Sequence, residues 1–419
     1  MKGFNAQLAR FMQALHNINW AGLFELTVEA KHPTGQLPTE PVPDQVGKLL
    51  RAFIKPVQDF ANNPGKLFRP FVFFTTAYYV SRVVYRPLYL NLDPGAPLMV
   101  DIGAFIELVH AHLLIHDDIC DKSTKRRGKP TVWYSYLQNL PALDHHTANS
   151  LGIIAGDLVL AAAYKKLADA DGLSAEAKET IWKITQQHMH EVIYGQAIDI
   201  LLTSTPFGNV TEQTIWWLYK YKTARYTFVF PAAVGAGIFG MPLKYTDVLK
   251  LSDMPQQHLR LIHGLSQNYG KFVKFLEQLG VVFQLVDDVK DYTLDTKQRF
   301  LDLAERKRTH FHLILYKKDA RIRQFFDKTQ VQTAVHTSVS PAETTTVLDS
   351  DTIELGKYIL QKYIPEYIEF VAEKYETIKS KITKTTLNRT YKNILREIVK
   401  KLDEYFAKVA KPIGWAVKN

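Results

Sequence analysis

The sequence predicts an all-α fold, and three observations carry that prediction. Apolar residues recur at helical spacing through most of the 419 residues, strand-type alternation is nearly absent, and proline, glycine or small polar residues punctuate the segments. In chain order, the spacing predicts helices over residues 4–28, 46–61, 67–84, 98–121, 147–170, 175–202, 212–239, 256–291 and 301–327. The first ends in a connection carrying Pro33, Pro38, Pro41 and Pro43. Residues 329–352, rich in Thr, Ser and Val, read as a loop or partly disordered insertion. Helices over 353–382 and 388–409 follow. The longest uncharged stretch, 226–243, is interrupted by Pro231, Gly235, Gly237 and Gly240, and reads as a closely packed interior helix rather than a membrane span. The chain therefore divides into an opening helix and connection (1–45), a large core (46–328), the loop (329–352) and C-terminal helices (353–419).

Two aspartate clusters stand out on this scaffold: Asp117, Asp118 and Asp121, then Asp287, Asp288 and Asp291. Each ends an apolar run of helical spacing, so Asp117 pairs with Asp121, and Asp287 with Asp291, one turn apart on a helix face. Like charges at that separation beside apolar surface repel and lose solvation unless cations offset them. Mg²⁺ does so with one or two carboxylates, waters and substrate phosphates. The pattern predicts two carboxylate walls facing one another across Mg²⁺-bound phosphate.

Basic residues supply the anion side. Lys66 and Arg69, three apart at the opening of a helix, present a point charge and a two-pronged donor near the positive end of its dipole. Glu107, His110 and Asp117 share one helix face, while Arg126 and Arg127, beside Gly128, point in different directions and suit two phosphate groups. Lys222 and Thr223, Gln284 one turn before the second cluster, and Lys307 complete the set. Each has a bland alternative: a core histidine, a solvated basic loop, an ordinary helix start.

Composition narrows the classes. A 46% hydrophobic chain has ample material for a large core, and of the net charge of +10 most lies after residue 373, where twelve Lys or Arg face four Asp or Glu. The remainder is nearly neutral, which argues against a nucleic-acid surface. Cys120 is the only cysteine; it reads as a small packing residue, and no disulfide can form within the chain, which fits a reducing, cytoplasmic setting. The acid-free stretch before Glu25 reads as a first helix or a transit peptide. In the last helix an apolar stripe of Ile394, Leu395, Ile398, Leu402, Tyr405, Phe406 and Val409 opposes Lys392, Lys400, Lys401 and Lys408. That helix either packs on the bundle or rests on an anionic membrane surface.

The order of these pieces closely resembles the trans-isoprenyl diphosphate synthases, or polyprenyl synthetases. The matching segments are GKLFRP, ELVHAHLLIHDDICD, KRRGKPTV, GIIAGDLVL, YGQAID, YKTA, FQLVDDVKD and DLAERKRT, over residues 65–309. The resemblance implies an antiparallel helical bundle around a deep central apolar cavity, and a homodimer. It implies Mg²⁺-dependent condensation of isopentenyl diphosphate with an allylic diphosphate (dimethylallyl, geranyl or farnesyl) to a linear all-trans product. By the same resemblance, Asp117, Asp121 and Asp287 hold three Mg²⁺ ions, and Asp118, Asp288 and Asp291 support them directly or through water. Arg126, Lys222 and Lys307 bind the allylic diphosphate; Lys66, Arg69, His110 and Arg127 bind isopentenyl diphosphate; Thr223 and Gln284 stabilise the carbocation.

Three features depart from the family pattern. The segment between Asp291 and Asp302 is short, and Glu305-Arg306-Lys307-Arg308-Thr309-His310-Phe311 replaces Glu-Gly-Lys-x-Thr-x-Pro, which puts the role of Lys307 in question. The insertion after Thr329 and the basic last helix lie outside the pattern. Product length is expected to depend on His112 and Leu113, five and four residues before Asp117. His112 is intermediate in bulk, which favours geranylgeranyl diphosphate, then farnesyl diphosphate. Two other readings stand beside this one: a class I terpene cyclase, which normally lacks the second aspartate set, and a non-catalytic partner subunit, which has no need of all six aspartates.

Overall fold

The computed structural model describes residues 2–24, 43–84, 97–239, 256–293, 299–328 and 349–410. In chain order the helices are α1 (Lys2–His16), α2 (Asp44–Ala61), α3 (Phe68–Val84), α4 (Pro97–Cys120), α5 (Val132–Asn139), α6 (His145–Ala168), α7 (Ala175–Thr203) and α8 (Glu212–Leu218). A π-helical stretch, Tyr219–Val229, runs on into α9 (Phe230–Gly237); then come α10 (Gln256–Thr293), α11 (Leu301–Ala304), α12 (His310–Lys318), α13 (Ala320–Asp327), α14 (Ser350–Lys362), α15 (Ile364–Lys384) and α16 (Arg389–Ala410). Among the described residues the strands are β1 (Lys125–Arg126) and β2 (Lys129–Pro130), paired antiparallel. The all-α expectation holds.

The local chemistry explains several boundaries. Asp144, Ser174, Thr211, Thr309 and Asp349 each accept a backbone N–H of the first turn that follows, which satisfies a donor the helix itself cannot. Thr309 and Asp319 start new helices inside the predicted 301–327 helix, so that stretch is three short pieces. Likewise the predicted 353–382 helix begins earlier, at Ser350, and breaks after Lys362 because Pro365 opens the next helix. The predicted 4–28 helix stops at His16. Helix α5 was not expected. The Pro-rich connection over 29–42 and the Thr/Ser-rich stretch over 329–348 lie outside the described residues.

The described residues form two compact units. The first lies within Met1–Phe71 and Asp93–Leu173 and is organised by α4, which packs along α6 and against α1 and α5. Phe11 and Leu15 of α1 are fully buried on Gly103, where a side chain would meet the Phe11 ring at 2.9 Å. One described helix, α4, is long and apolar enough to cross a membrane, but 67% of that stretch is buried inside the protein.

The second unit lies within Val72–Leu92, Ser174–Thr337 and Thr346–Asn419. Its centre is α10, which packs against the π-helical stretch, α12, α15 and α16. The uncharged stretch beginning at Tyr226 is buried here as far as Ile238, as an interior segment should be. Ile394, Leu395, Ile398, Leu402, Phe406 and Val409 of α16 are buried too. Their stripe is therefore taken up inside the unit, against α10 and α15.

Two glycines hold the π-helical stretch. A Cβ at Gly195 of α7 would sit 2.7 Å from the Lys222 backbone nitrogen, and one at Gly280 of α10 would sit 2.5 Å from the Ala224 Cα. Backbone on backbone leaves no flexible atom to move aside, so both sites require glycine. By contrast, a Cβ at Gly270 on the same α10 helix meets nothing within 4 Å. Gly280→Ala should therefore lower stability by about 1–3 kcal/mol. Gly270→Ala should leave stability unchanged or raise it by up to about 1 kcal/mol. Thermal melts of the two variants check this, and equal melting temperatures would contradict it.

Candidate active site

In the first unit, α4 carries Asp117 and Asp118, and Asp121 follows its last turn, its N–H still donating to the Asp117 carbonyl at 2.8 Å. Asp118 is buried beneath them. The β1–β2 hairpin delivers the cation. Its two-residue loop, Arg127-Gly128, has φ of +53° and +79°, the signature of a type I′ turn, and the Lys125↔Pro130 pairing sets its register. From β1, Arg126 donates through Nε to Asp118 Oδ1 at 2.6 Å and through Nη2 to Asp117 Oδ2 at 3.2 Å. Burial nevertheless dominates, pushing the Asp118 carboxyl up to about 7. Its second oxygen, Oδ2, is buried and accepts no hydrogen bond among the described residues, which fits a cation there.

The turn sends Arg127 the other way. It donates to the Asn63 carbonyl, lies 3.7 Å from Glu107, and sits over the Phe60 ring. The approach is open because residue 65 is glycine: a Cβ there would meet Arg127 Nε at 2.7 Å. Arg69 belongs to the same group, since its charge, with that of Arg127, acts on both Glu107 and His110. His110 is held well below its ordinary pKa, first by burial and then by these arginines, so it is neutral. Lys66 is exposed and precedes α3 rather than sitting in its first turn, with Leu67 in the left-handed conformation between. Arg69, His110 and Arg127 are thus brought together, and Lys66 follows Gly65 in the chain, exposed. Cys120 is exposed, contrary to the packing role expected of it.

His112 is buried, with Nδ1 3.1 Å from the Gly156 carbonyl, and Leu113 is half-buried.

In the second unit, the aspartates of α10 are met mainly by neutral donors. Tyr219 donates its hydroxyl to Asp288 Oδ2 and itself receives the His310 N–H. Gln284 donates to Asp288 Oδ1 at 3.0 Å and accepts the Thr223 hydroxyl at 2.7 Å, which fixes the orientation of its amide. Asp291 accepts the backbone N–H groups of Leu301 and Asp302, capping α11. Burial raises both carboxyls, Asp288 strongly, and the charge of Asp302 adds to it for Asp291. Asp287 is the more open member; it accepts Lys290 at 3.1 Å and the Tyr405 hydroxyl of α16 at 2.9 Å. Lys222 pairs with Asp199, and Lys307 with Asp302 and Glu305 at 3.3 and 3.2 Å.

The π-helical form of Tyr219–Val229 was not foreseen; a continuous helix was expected over 212–239. The wider coil places Lys222 and Thr223 between the glycines of α7 and α10, and such coils occur frequently at functional sites. Tyr219, Tyr405 and Asp199 were also missed. Only Asp199 left a signal, as the last residue of the YGQAID segment. A groove of about 740 Å³ in this unit, between α10 and α15, is lined by none of the predicted site residues.

Three comparisons with known proteins bear on this geometry. The family model described as polyprenyl synthetase matches residues 51–338. A geranylgeranyl diphosphate synthase from Sulfolobus acidocaldarius is 31% identical over 279 residues, which is 65% of this chain and 69% of that protein. An octaprenyl diphosphate synthase from Escherichia coli is 26% identical over 199 residues, and the chain spans about half of that relative's length, 48%. A crystal structure of geranylgeranyl pyrophosphate synthase from Corynebacterium glutamicum, complexed with isoprenyl diphosphate and magnesium, aligns with a TM-score of 0.63. The alignment covers 95% of this chain and 97% of that one at 22% identity, and shows the shared fold.

Glu107 gives this basic cluster a pH signature. Burial raises its carboxyl from the ordinary 4.5 to about 7, against the pull of Arg127 and Arg69. Between those values the folded protein keeps a proton that the unfolded chain gives up, so stability falls as pH rises from about 5 to about 7. The loss reaches at most about 3 kcal/mol. Glu107→Gln removes that titration, so its melting temperature should rise relative to the parent across this range. A difference between the two proteins that stays constant with pH would contradict the burial cost.

Proposed function

The chain belongs to the polyprenyl synthetase family of prenyltransferases, and from that premise we propose that it elongates an allylic diphosphate with isopentenyl diphosphate. The observation that carries this reading is the cluster of Arg69, His110 and Arg127 beside α4, at a distance from the aspartates on the same helix. His110 and Asp117 are seven residues apart, about 10 Å along the axis. A helix offering a cationic site at one level and a carboxylate site at another suits two diphosphates, one of them metal-bound. A cyclase has one diphosphate and no use for the first site. A non-catalytic subunit has no need of all six aspartates.

The residues fit Mg²⁺ chemistry: hard oxygen donors, with Asp118 Oδ2 buried and available. Asp117, Asp121 and Asp287 would hold the ions, three by family analogy, with Asp118, Asp288 and Asp291 in support. The hydrogen bonds from Tyr219 and Gln284 suit Asp288 to a supporting role. Bound Mg²⁺ stabilises the charge that builds on a departing diphosphate. Arg126, held between Asp117 and Asp118, and Lys222, held by Asp199, add fixed positive charge for the same anion. Lys307, paired with Asp302 and Glu305, is the third cation for that anion.

Thr223 commits its proton to Gln284, which leaves the hydroxyl lone pairs for the allylic cation. Isopentenyl diphosphate binds at Lys66, Arg69, His110 and Arg127, and its double bond attacks that cation. The released diphosphate then takes the proton, so no protein nucleophile is needed. Geranylgeranyl diphosphate is the proposed product, with His112 and Leu113 at the floor of an apolar cavity. A homodimer is proposed as well, supported by exposed Ile193, Tyr194, Ile200 and Leu201 at heptad spacing on α7. With the α16 stripe buried, membrane contact would rest on its lysines alone.

The purified protein, given Mg²⁺, labelled isopentenyl diphosphate and dimethylallyl, geranyl or farnesyl diphosphate in parallel, should yield linear prenyl alcohols after dephosphorylation, geranylgeraniol foremost. No incorporation with any starter, from folded protein that sediments as a dimer, would reject the synthase reading. A cyclic hydrocarbon formed without isopentenyl diphosphate would point to a cyclase. His112→Ala should lengthen the product, and an unchanged product would remove that residue from the floor.

A further inference from the structure

We propose that His112, His116 and Asp157 form a binding site for a divalent transition-metal ion of the Zn²⁺ class, joining α4 to α6 within the first unit. His112 and His116 stand one turn apart on α4, and Asp157 faces them from α6. Each offers one ligand atom, and the three atoms lie within 4.8 Å of one another. The imidazoles meet edge-on with ring centroids 4.5 Å apart, and His116 Nε2 lies 3.7 Å from Asp157 Oδ1. Small rotations of an exposed carboxylate and two rings close such a set onto an ion at about 2 Å.

The backbone is arranged for this approach. Residue 156 is glycine, and a Cβ there would fall 2.2 Å from His116 Nε2; a Cβ at Gly152 would fall 2.8 Å from Ile119 Cδ1. Without these glycines α6 could not bring Asp157 so near the α4 histidines. His112 Nδ1 lies 3.1 Å from the Gly156 carbonyl, a contact that makes Nδ1 the protonated nitrogen and leaves Nε2 as the ligand. His116 Nε2 also lies 3.0 Å from the Ile153 carbonyl, and ligation exchanges that contact or uses the other ring nitrogen. His112 is buried while the Asp157 side chain is 65% exposed, so the site is walled on one side and open to ion and water on the other.

Donor chemistry separates this site from the neighbouring aspartates. Two imidazoles and one carboxylate suit Zn²⁺, Co²⁺ or Ni²⁺, whereas Mg²⁺ prefers the oxygen donors of Asp117, Asp118 and Asp121. Adjacent residues, His116 and Asp117, would then serve two ions of different class, and the first would hold the helix that positions the second.

Co²⁺ is the probe: the full-length protein, stripped with a chelator and free of substrate, is titrated while visible absorption is followed. One equivalent should develop ligand-field bands that Zn²⁺ displaces and excess Mg²⁺ does not. Asp157→Asn, at an exposed position that the fold does not need, should weaken Co²⁺ binding by at least about tenfold, as should His112→Gln. The Asp117→Asn, Asp121→Asn double variant should keep the bands. Bands that survive Asp157→Asn, that vanish with the double variant, or that never form in folded protein would each overturn the site.

Discussion

Carboxylates set side by side at the edge of an apolar core cannot stay ionised unless donors or cations meet them. Both units are organised around that constraint, and they meet it differently. The first supplies a guanidinium: the β1–β2 hairpin exists in effect to lay Arg126 across Asp117 and Asp118. The second supplies mainly neutral donors, through Tyr219, Gln284, Tyr405 and two backbone N–H groups, with Lys290 beside Asp287. Neither solution is complete, since burial still raises Asp118, Asp288 and Asp291. The residual cost is what a bound cation would relieve.

Much of this was legible in the sequence. Apolar periodicity located the helices bearing both aspartate sets, because a buried stripe at helical spacing is a strong local signal. What escaped came from other distances or other chemistry. The hairpin turns on Arg127 at positive φ, a conformation an arginine does not advertise, so KRRGKP reads as a basic loop. A π-helical stretch admits an extra residue per turn without altering composition, and here Gly195 and Gly280, far apart in sequence, grip it. Tyr405 reaches Asp287 across 118 residues, and no local pattern foretells that bond. It ties the C-terminal helix, which lay outside the family pattern, to the second aspartate set.

One helix explains the economy of the first unit. Along α4, successive levels carry Glu107 and His110 beside the arginines, then His112 and His116 against α6, then the aspartates. Each level differs in donor hardness and charge, as the proposed anion, transition-metal and Mg²⁺ sites would each require. The relatives named for geranylgeranyl and octaprenyl products share the family scaffold.

We propose that both aspartate sets serve one diphosphate, and a binding cycle tests this most directly. Farnesyl diphosphate affinity would be measured with and without Mg²⁺ for the parent protein, Asp117→Asn, Asp287→Asn and the double variant. Groups acting on one ligand couple strongly, so each single change should remove most of the Mg²⁺-dependent affinity and the double should lose little more. Losses that simply add, or Mg²⁺-dependent binding that survives removal of either set, would show that the two clusters act apart.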